Sequence, residues 1–154
     1  MIKLRGRNIC FELTIDSYEY PSALDYDDAN WLTVRITAVD DGVSWKAKDN
    51  CLLTYELVEL REWIKAIISN KNVDSKLSFL EGEFSVSYDV SRNVLNIHLD
   101  FVFHPKGEGY VYGEGGDKKY TLSFPFDGNA ISIVEALDEL IKEYPERLKD
   151  KRYT

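Results

Sequence analysis

Two histidines are the first residues to examine for chemistry, because histidine titrates near neutral pH and is the commonest metal ligand. His98 lies two residues before Asp100 on the polar face of a predicted strand, where the pair could form half of an acid–base or metal site. His104 follows six positions later, which is roughly 20 Å along an extended strand at about 3.3 Å per residue. A metal site needs more ligands than this spacing provides, so we expect no metal and no catalytic histidine.

Other segments that could carry chemistry lack the required patterns. The glycine-rich segment 107–116 has no Lys-Ser/Thr pair, and its two glutamates, Glu108 and Glu114, would repel a phosphate. The acidic segment 25–28 lacks the spacing of a calcium loop. No G-x-S-x-G, H-E-x-x-H or Cys–His–Asn pattern occurs. We therefore expect a protein that is not an enzyme and has no cofactor.

Cys10 and Cys51 are far apart in sequence and match neither a C-x-x-C motif nor a zinc-binding spacing. A disulfide would form only if the fold brought their Cα atoms within about 7 Å. Two free and mostly buried thiols, typical of a reducing cytosol, are the expectation.

The charge balance limits the partners of the chain. It has 27 acidic and 19 basic residues, a formal net charge of −8. Nucleic acids and anionic membranes attract Lys and Arg, so this balance disfavours both. It favours a basic protein partner, although a charge of this size can also serve solubility alone. No segment approaches the roughly 20 apolar residues of a membrane span, and we expect a cytoplasmic protein.

Period-two alternation of apolar residues, typical of half-buried strands, recurs along the chain. Strands are predicted at residues 8–16, 31–39, 43–47, 84–90, 95–103 and 120–126, with turns at Asp41-Gly42 and at residues 91–93. The strand at 95–103 has the longest alternation and should be central. Residues 17–30 have no period and should form a loop.

Two segments have helical periodicity instead. A helix from about Thr54 to Ser69 carries an apolar stripe, with Thr54 as its N-cap. A second helix is capped by Ser132 with Glu135, or by Asp127, and ends at Pro145, after which a charged tail should fray. The elements predict one domain over residues 1–154. Its class is α+β, with mainly antiparallel sheet of six to seven strands and two helices packed against it.

Several short motifs occur in an order that is familiar from one protein family. They are Asn8-Ile-Cys-Phe-Glu-Leu13, Asp27 with Asn30-Trp-Leu32, Trp45, Asp49-Asn-Cys-Leu-Leu-Thr54 leading into Glu56-Leu57, Trp63, Leu77-Ser-Phe-Leu-Glu81, Phe124-Pro125 and Tyr144-Pro145. Together they resemble the WapI-like family of small bacterial immunity proteins, over residues 4 to 147. The glycine-rich segment 107–116 has no counterpart among these motifs.

The resemblance implies a cytoplasmic binder that neutralises the toxic C-terminal domain of a contact-delivered bacterial toxin, often a nuclease. It implies no catalytic residue. The charge and the aromatic residues suggest which side chains contact such a basic partner. They are Asp25, Tyr26, Asp27, Asp28, Glu108, Tyr110, Tyr112 and Glu114. Two alternatives stay open: a carbohydrate- or small-ligand-binding β domain with an aromatic groove, and an enzyme with an unrecognised carboxylate pair.

Overall fold

The computed structural model describes residues 1–107, 109–113 and 118–152. Within these residues it contains two antiparallel sheets of four strands each. The first sheet has, in spatial order, β1 (Ile2–Gly6), β2 (Ile9–Tyr18), β3 (Trp31–Asp40) and β4 (Val43–Leu53). The second has β5 (Lys76–Ser78), β6 (Phe84–Asp89), β7 (Val94–Leu99) and β8 (Tyr120–Pro125). The helices are α1 (Tyr26–Ala29), α2 (Thr54–Ile68) and α3 (Ala130–Glu143).

The predicted α+β class is confirmed. β1 and β5 were not predicted, because a five-residue and a three-residue strand are too short for a clear alternation. The predicted loop at 17–30 contains the end of β2 and the short helix α1. The Asp-Gly turn is correct: Asp41 and Gly42 have φ angles of 46° and 88°, as a two-residue hairpin turn of this type requires.

One hydrophobic core joins both sheets to α2 and α3. The Phe11 ring of the first sheet stacks on Phe84 of the second, with centroids 6.1 Å apart. Trp63 of α2 is buried in this core, and Trp45 packs against it from β4. None of the helices in the described part of the chain is long and apolar enough to cross a membrane.

The predicted strand at 95–103 is internal to its sheet but ends four residues early, at Leu99. Asp100 stops it, because its carboxylate accepts a hydrogen bond of 2.8 Å from the N–H of Phe101 and caps a 3-10 turn over Phe101–Phe103. The side chains of Phe101 and Phe103 are therefore not on one strand face. Phe103 is in the core, whereas Phe101 turns toward the surface.

The helix N-caps also differ from the prediction. Leu53 is the cap of α2, and Thr54, the predicted cap, is its first residue. The missing side-chain cap is replaced by Glu56, whose carboxylate accepts the N–H of Leu53 at 2.9 Å. Asn129, not Ser132 or Asp127, caps α3. Tyr144 follows its last residue, so the predicted stop at Pro145 is confirmed.

The charged tail after Pro145 is anchored near its start, contrary to the expected fraying. Arg147 donates hydrogen bonds to the carbonyl oxygens of Tyr20, Pro21 and Ala29, and its guanidinium lies 3.7 Å from the ring centroid of Tyr18. The physical reason is that the segment before α1 leaves several carbonyls without strand partners, and a five-donor guanidinium satisfies them together.

Candidate functional site

Asn30 fixes the position of the acidic segment 25–28. Its side chain is fully buried and makes four hydrogen bonds. The amide nitrogen donates to the carbonyls of Tyr26 and Arg147, and the amide oxygen accepts from the Thr54 hydroxyl and the Arg147 N–H. The single residue therefore ties α1 to the start of α2 and to the tail.

The four predicted contact residues of this segment lie on or beside α1. Asp25 caps the helix by accepting the N–H of Asp28 at 3.0 Å, while Asp27 and Asp28 are exposed. Tyr26 donates to the carboxylate of Glu146 at 2.5 Å, and burial with this hydrogen bond raises its pKa to about 12. Asp27 and Asp28 thus face solvent, whereas the hydroxyl of Tyr26 is engaged by Glu146.

A depression of about 410 Å³ adjoins α1. It is lined by Tyr20 and Leu24 together with Glu19, Asp25 and Asp28. Leu24 is 81% exposed. A large exposed apolar side chain inside a ring of carboxylates is the arrangement expected at the contact of a basic partner that also presents apolar surface.

Carboxylates continue from α1 toward the second sheet. The ring of Tyr26 stacks on Tyr55 of α2 at 6.3 Å. After burial, the charges of Glu56, Asp27 and Glu59 raise the pKa of Tyr55. We call the continuous set the acidic stripe; its members are Asp25, Asp27, Asp28, Glu59, Glu81, Asp49 and Glu83.

Glu56 is the buried support of this stripe. Its carboxylate accepts backbone N–H groups from Leu53 and Leu80, each at 2.9 Å, so it joins the start of α2 to the segment before β6. Burial raises its pKa, and the nearby charges of Glu59 and Glu81 act in the same direction. The three carboxylates are therefore close enough to repel one another.

Glu83 and Asp49 form the far end of the stripe. Glu83 is 7% exposed, and its Oε2 atom has no hydrogen-bond partner among the described residues. Burial, followed by a hydrogen bond with the half-buried Asp49 and by its charge, raises the pKa of Glu83 to about 7. The stripe therefore includes one carboxyl that is partly protonated at neutral pH.

The pKa of Glu83 predicts a pH dependence of stability. Its folded-state pKa lies above the ordinary value of about 4.3, so its stabilising contribution is complete below pH 4 and is lost as the pH rises through 7. Glu83→Gln should raise the free energy of unfolding by about 2 kcal/mol at pH 8 and change it little at pH 4.5. Urea unfolding at both pH values measures this. The control is Glu81→Gln, because Glu81 is exposed. An equal change in the free energy of unfolding for both variants would contradict the raised pKa of Glu83.

Aromatic rings adjoin this end of the stripe. A Cβ on Gly82 would lie 2.7 Å from the ring of Phe101, so Phe101 sits directly on the backbone between Glu81 and Glu83. Phe101 is in edge contact with Tyr112 at 5.6 Å, and Tyr112 is 68% exposed. We call Phe101, His104, Tyr110, Tyr112 and Tyr120 the aromatic cluster.

His104 organises the aromatic cluster. Its ring stacks on Tyr110 at 3.8 Å and meets Tyr120 edge-on at 5.9 Å. The Tyr110 hydroxyl donates to Asp100, and Lys106 lies over the ring of Tyr110 at 4.2 Å. Of the two predicted tyrosines, Tyr110 is therefore a packed support and Tyr112 is the exposed one. Glu108 and Glu114 lie outside the described residues.

The residues considered for catalysis have structural partners. Both ring nitrogens of His98 bond to hydroxyls, of Ser87 and Thr121, each at 2.8 Å. Burial, with the charges of Lys119 and Lys76, lowers its pKa, so it is neutral at neutral pH. Cys10 and Cys51 are both free; Cys51 is buried and Cys10 half-buried. No group of three or more metal-ligating side chains occurs within the described residues.

Two depressions bear on the carbohydrate alternative. One, of about 510 Å³ beside the β1–β2 and β3–β4 turns, is lined by no aromatic ring. A second, of about 350 Å³ between the end of α2 and the start of α3, includes the rings of Tyr88 and Phe126. Asp49 and Glu83 are within hydrogen-bonding contact, whereas the carboxylates of a glycosidase stand about 5 Å or more apart. Both alternative functions stay hypotheses.

Sequence reasoning missed Glu59, Asp49, Glu81 and Glu83. One signal was available: alternation along β4 places Asp49 on the same inward face as Trp45 and Ala47, where an acidic residue is unusual. No local pattern pairs Glu83 with Asp49, because 33 residues lie between them in the sequence.

Comparison with known proteins identifies the family of this chain. A sequence model of the immunity protein WapI-like family matches residues 1–145. No curated protein matches the sequence. Because the family match covers nearly the whole chain, and agrees with the motifs found in the sequence, the chain belongs to the WapI-like family of immunity proteins.

Proposed function

We propose that this protein neutralises a basic toxin domain by covering it, and that the contact surface is the acidic stripe with the exposed ring of Tyr112. Membership of an immunity protein family supports the immunity role. The observation that carries the contact surface is the continuity of carboxylates from α1 to Glu83, with exposed apolar side chains at both ends, Leu24 and Tyr112.

The remainder of the surface supports this choice. The outer face of the first sheet carries mainly basic side chains: Lys3, Arg5, Arg35, Lys46 and Lys48, with Glu12 and Asp16 paired to three of them. A basic partner is therefore attracted to the stripe and not to this face. If the toxin is a nuclease, the carboxylates take the place of phosphates in its basic cleft.

The mechanism is occlusion. A stable interface of this kind buries roughly 1,600 Å² in total, and a few aromatic anchors inside a polar rim supply most of its affinity. Tyr112 and Leu24 are the proposed anchors, and the exposed aspartates of α1 form part of the rim. The proposal requires no chemical step by any residue of this chain.

The test uses the cognate toxin domain, which is first sought in the gene directly upstream of the one that encodes this protein. Isothermal titration calorimetry should give a one-to-one complex with a dissociation constant of nanomolar order, and the toxin's own activity should fall to zero at equimolar protein. Absence of heat and undiminished toxin activity would refute the immunity role. Turnover of toxin or of substrate by this protein would refute occlusion.

A further inference from the structure

We propose that Glu83 and Asp49 together bind one arginine side chain of the toxin, an inference that rests on the proposed function and names its central contact. Three observations support it: the orphaned oxygen of Glu83, the groups around it, and the effect of Glu83 on the free protein.

The orphaned oxygen points to an absent donor. The Oε2 atom of Glu83 is buried and accepts no hydrogen bond from the described residues. Burial of a carboxylate oxygen without a donor is unfavourable, because the oxygen loses its hydration and gains no hydrogen bond in return. Asp49, half-buried at the edge strand β4, gives the pair access to the surface.

The groups around Glu83 and Asp49 leave the negative charge of this pair unbalanced. Asp49 of β4 and Glu81 of the segment before β6 lie near Glu83. Cys51 of β4 lies near Glu83 and also near Glu56 of α2. None of the ion pairs in the described part of the chain involves Glu81, Glu83 or Asp49. A cation supplied by a partner would balance this negative charge.

The pair of carboxyl groups favours arginine over lysine. A guanidinium is planar, presents five donors and can bond to two carboxylates at once. A lysine ammonium is a compact point charge without this shape. Two carboxyl groups in contact match the planar cation.

The energetics of the free protein agree with this role. An ionised Glu83 opposes folding at neutral pH, and a cation bound beside it would offset this cost. Binding surfaces commonly carry residues that lower the stability of the free protein. A variant at Glu83 should therefore separate the two effects, with higher stability and weaker binding.

The first measurement does not require the toxin. Carbon-13 NMR of the Glu83 carboxyl follows its titration in the presence of N-acetyl-arginine amide, with N-acetyl-citrulline amide as the uncharged isostere and N-acetyl-lysine amide for comparison. The arginine probe should lower the pH midpoint by at least half a unit, saturating in the millimolar range, and citrulline should have no effect. The lysine probe should act more weakly. Equal curves with arginine and citrulline would overturn the inference.

The second measurement uses the toxin complex. Glu83→Gln and Asp49→Asn should each weaken toxin binding at least tenfold, whereas Lys46→Gln, on the opposite face of the same strand, should change it less than twofold. If the wild type binds and all three variants bind equally, the arginine contact is refuted and the immunity role stands. If the wild type does not bind while the arginine probe still shifts Glu83, the proposed function fails and the cation site remains.

Discussion

Replacing Asn30 with alanine is expected to lower the free energy of unfolding by about 2–4 kcal/mol. The change removes four hydrogen bonds and leaves the buried Thr54 hydroxyl and the carbonyl of Tyr26 without their partners. Each buried polar group that loses its partner costs about 1–3 kcal/mol. Urea unfolding followed by tryptophan fluorescence measures the loss.

The matched control for this variant is Asn72→Ala. Asn72 is exposed, and such surface changes lie within about 0.5 kcal/mol. Because Asn30 joins α1, the start of α2 and Arg147, its loss should also detach the acidic segment and weaken toxin binding. Equal unfolding midpoints for the two variants would show that Asn30 does not hold these elements together.

The second large effect is expected from reversing charge on the acidic stripe. Asp27 and Asp28 are both exposed and have no ion-pair partner within the described residues, so the double variant Asp27→Lys/Asp28→Lys should fold normally. Its association rate with the toxin should fall at least tenfold at low salt, and the salt dependence of that rate should weaken. Stopped-flow mixing at several ionic strengths measures both quantities.

A second double variant separates local contact from total charge. Asp127→Lys/Glu135→Lys produces the same net charge, and both residues are exposed at the start of α3. The C-terminal end of α2 lies beside Asp127, about 21 Å along the helix from Thr54, which Asn30 ties to α1. The association rate of Asp127→Lys/Glu135→Lys with the toxin should change less than threefold. Equal losses in both double variants would mean that only total charge matters and that the stripe is not the contact surface.

The sequence was sufficient for the fold class because alternation and helical periodicity are local properties. The strands of the first sheet, the Asp41-Gly42 turn and the stripe of α2 could all be read from neighbouring residues. The early end of β7 could not be read from neighbouring residues. It depends on Asp100 capping the 3-10 turn, a side-chain-to-backbone hydrogen bond that competes with the strand despite a continuing apolar alternation.

The contact residues stay predictions, and the sequence could supply only some of the proposed surface. Asp27, Asp28 and Tyr112 were selected because they lie in conspicuous local clusters, and all three are exposed. Glu83 and Asp49 carry little local signal, because their pairing joins two sheets. The hydrogen bond of Tyr26 to Glu146 and the packing of Tyr110 on His104 also follow from the three-dimensional arrangement alone.

The most direct measurement is bacterial growth during expression of the cognate toxin domain, with each form of this protein supplied at equal soluble abundance. The wild type and Asp127→Lys/Glu135→Lys should restore growth, and Asp27→Lys/Asp28→Lys should not. Full rescue by the stripe variant would contradict neutralisation through this surface, and failure of the wild type would contradict immunity itself.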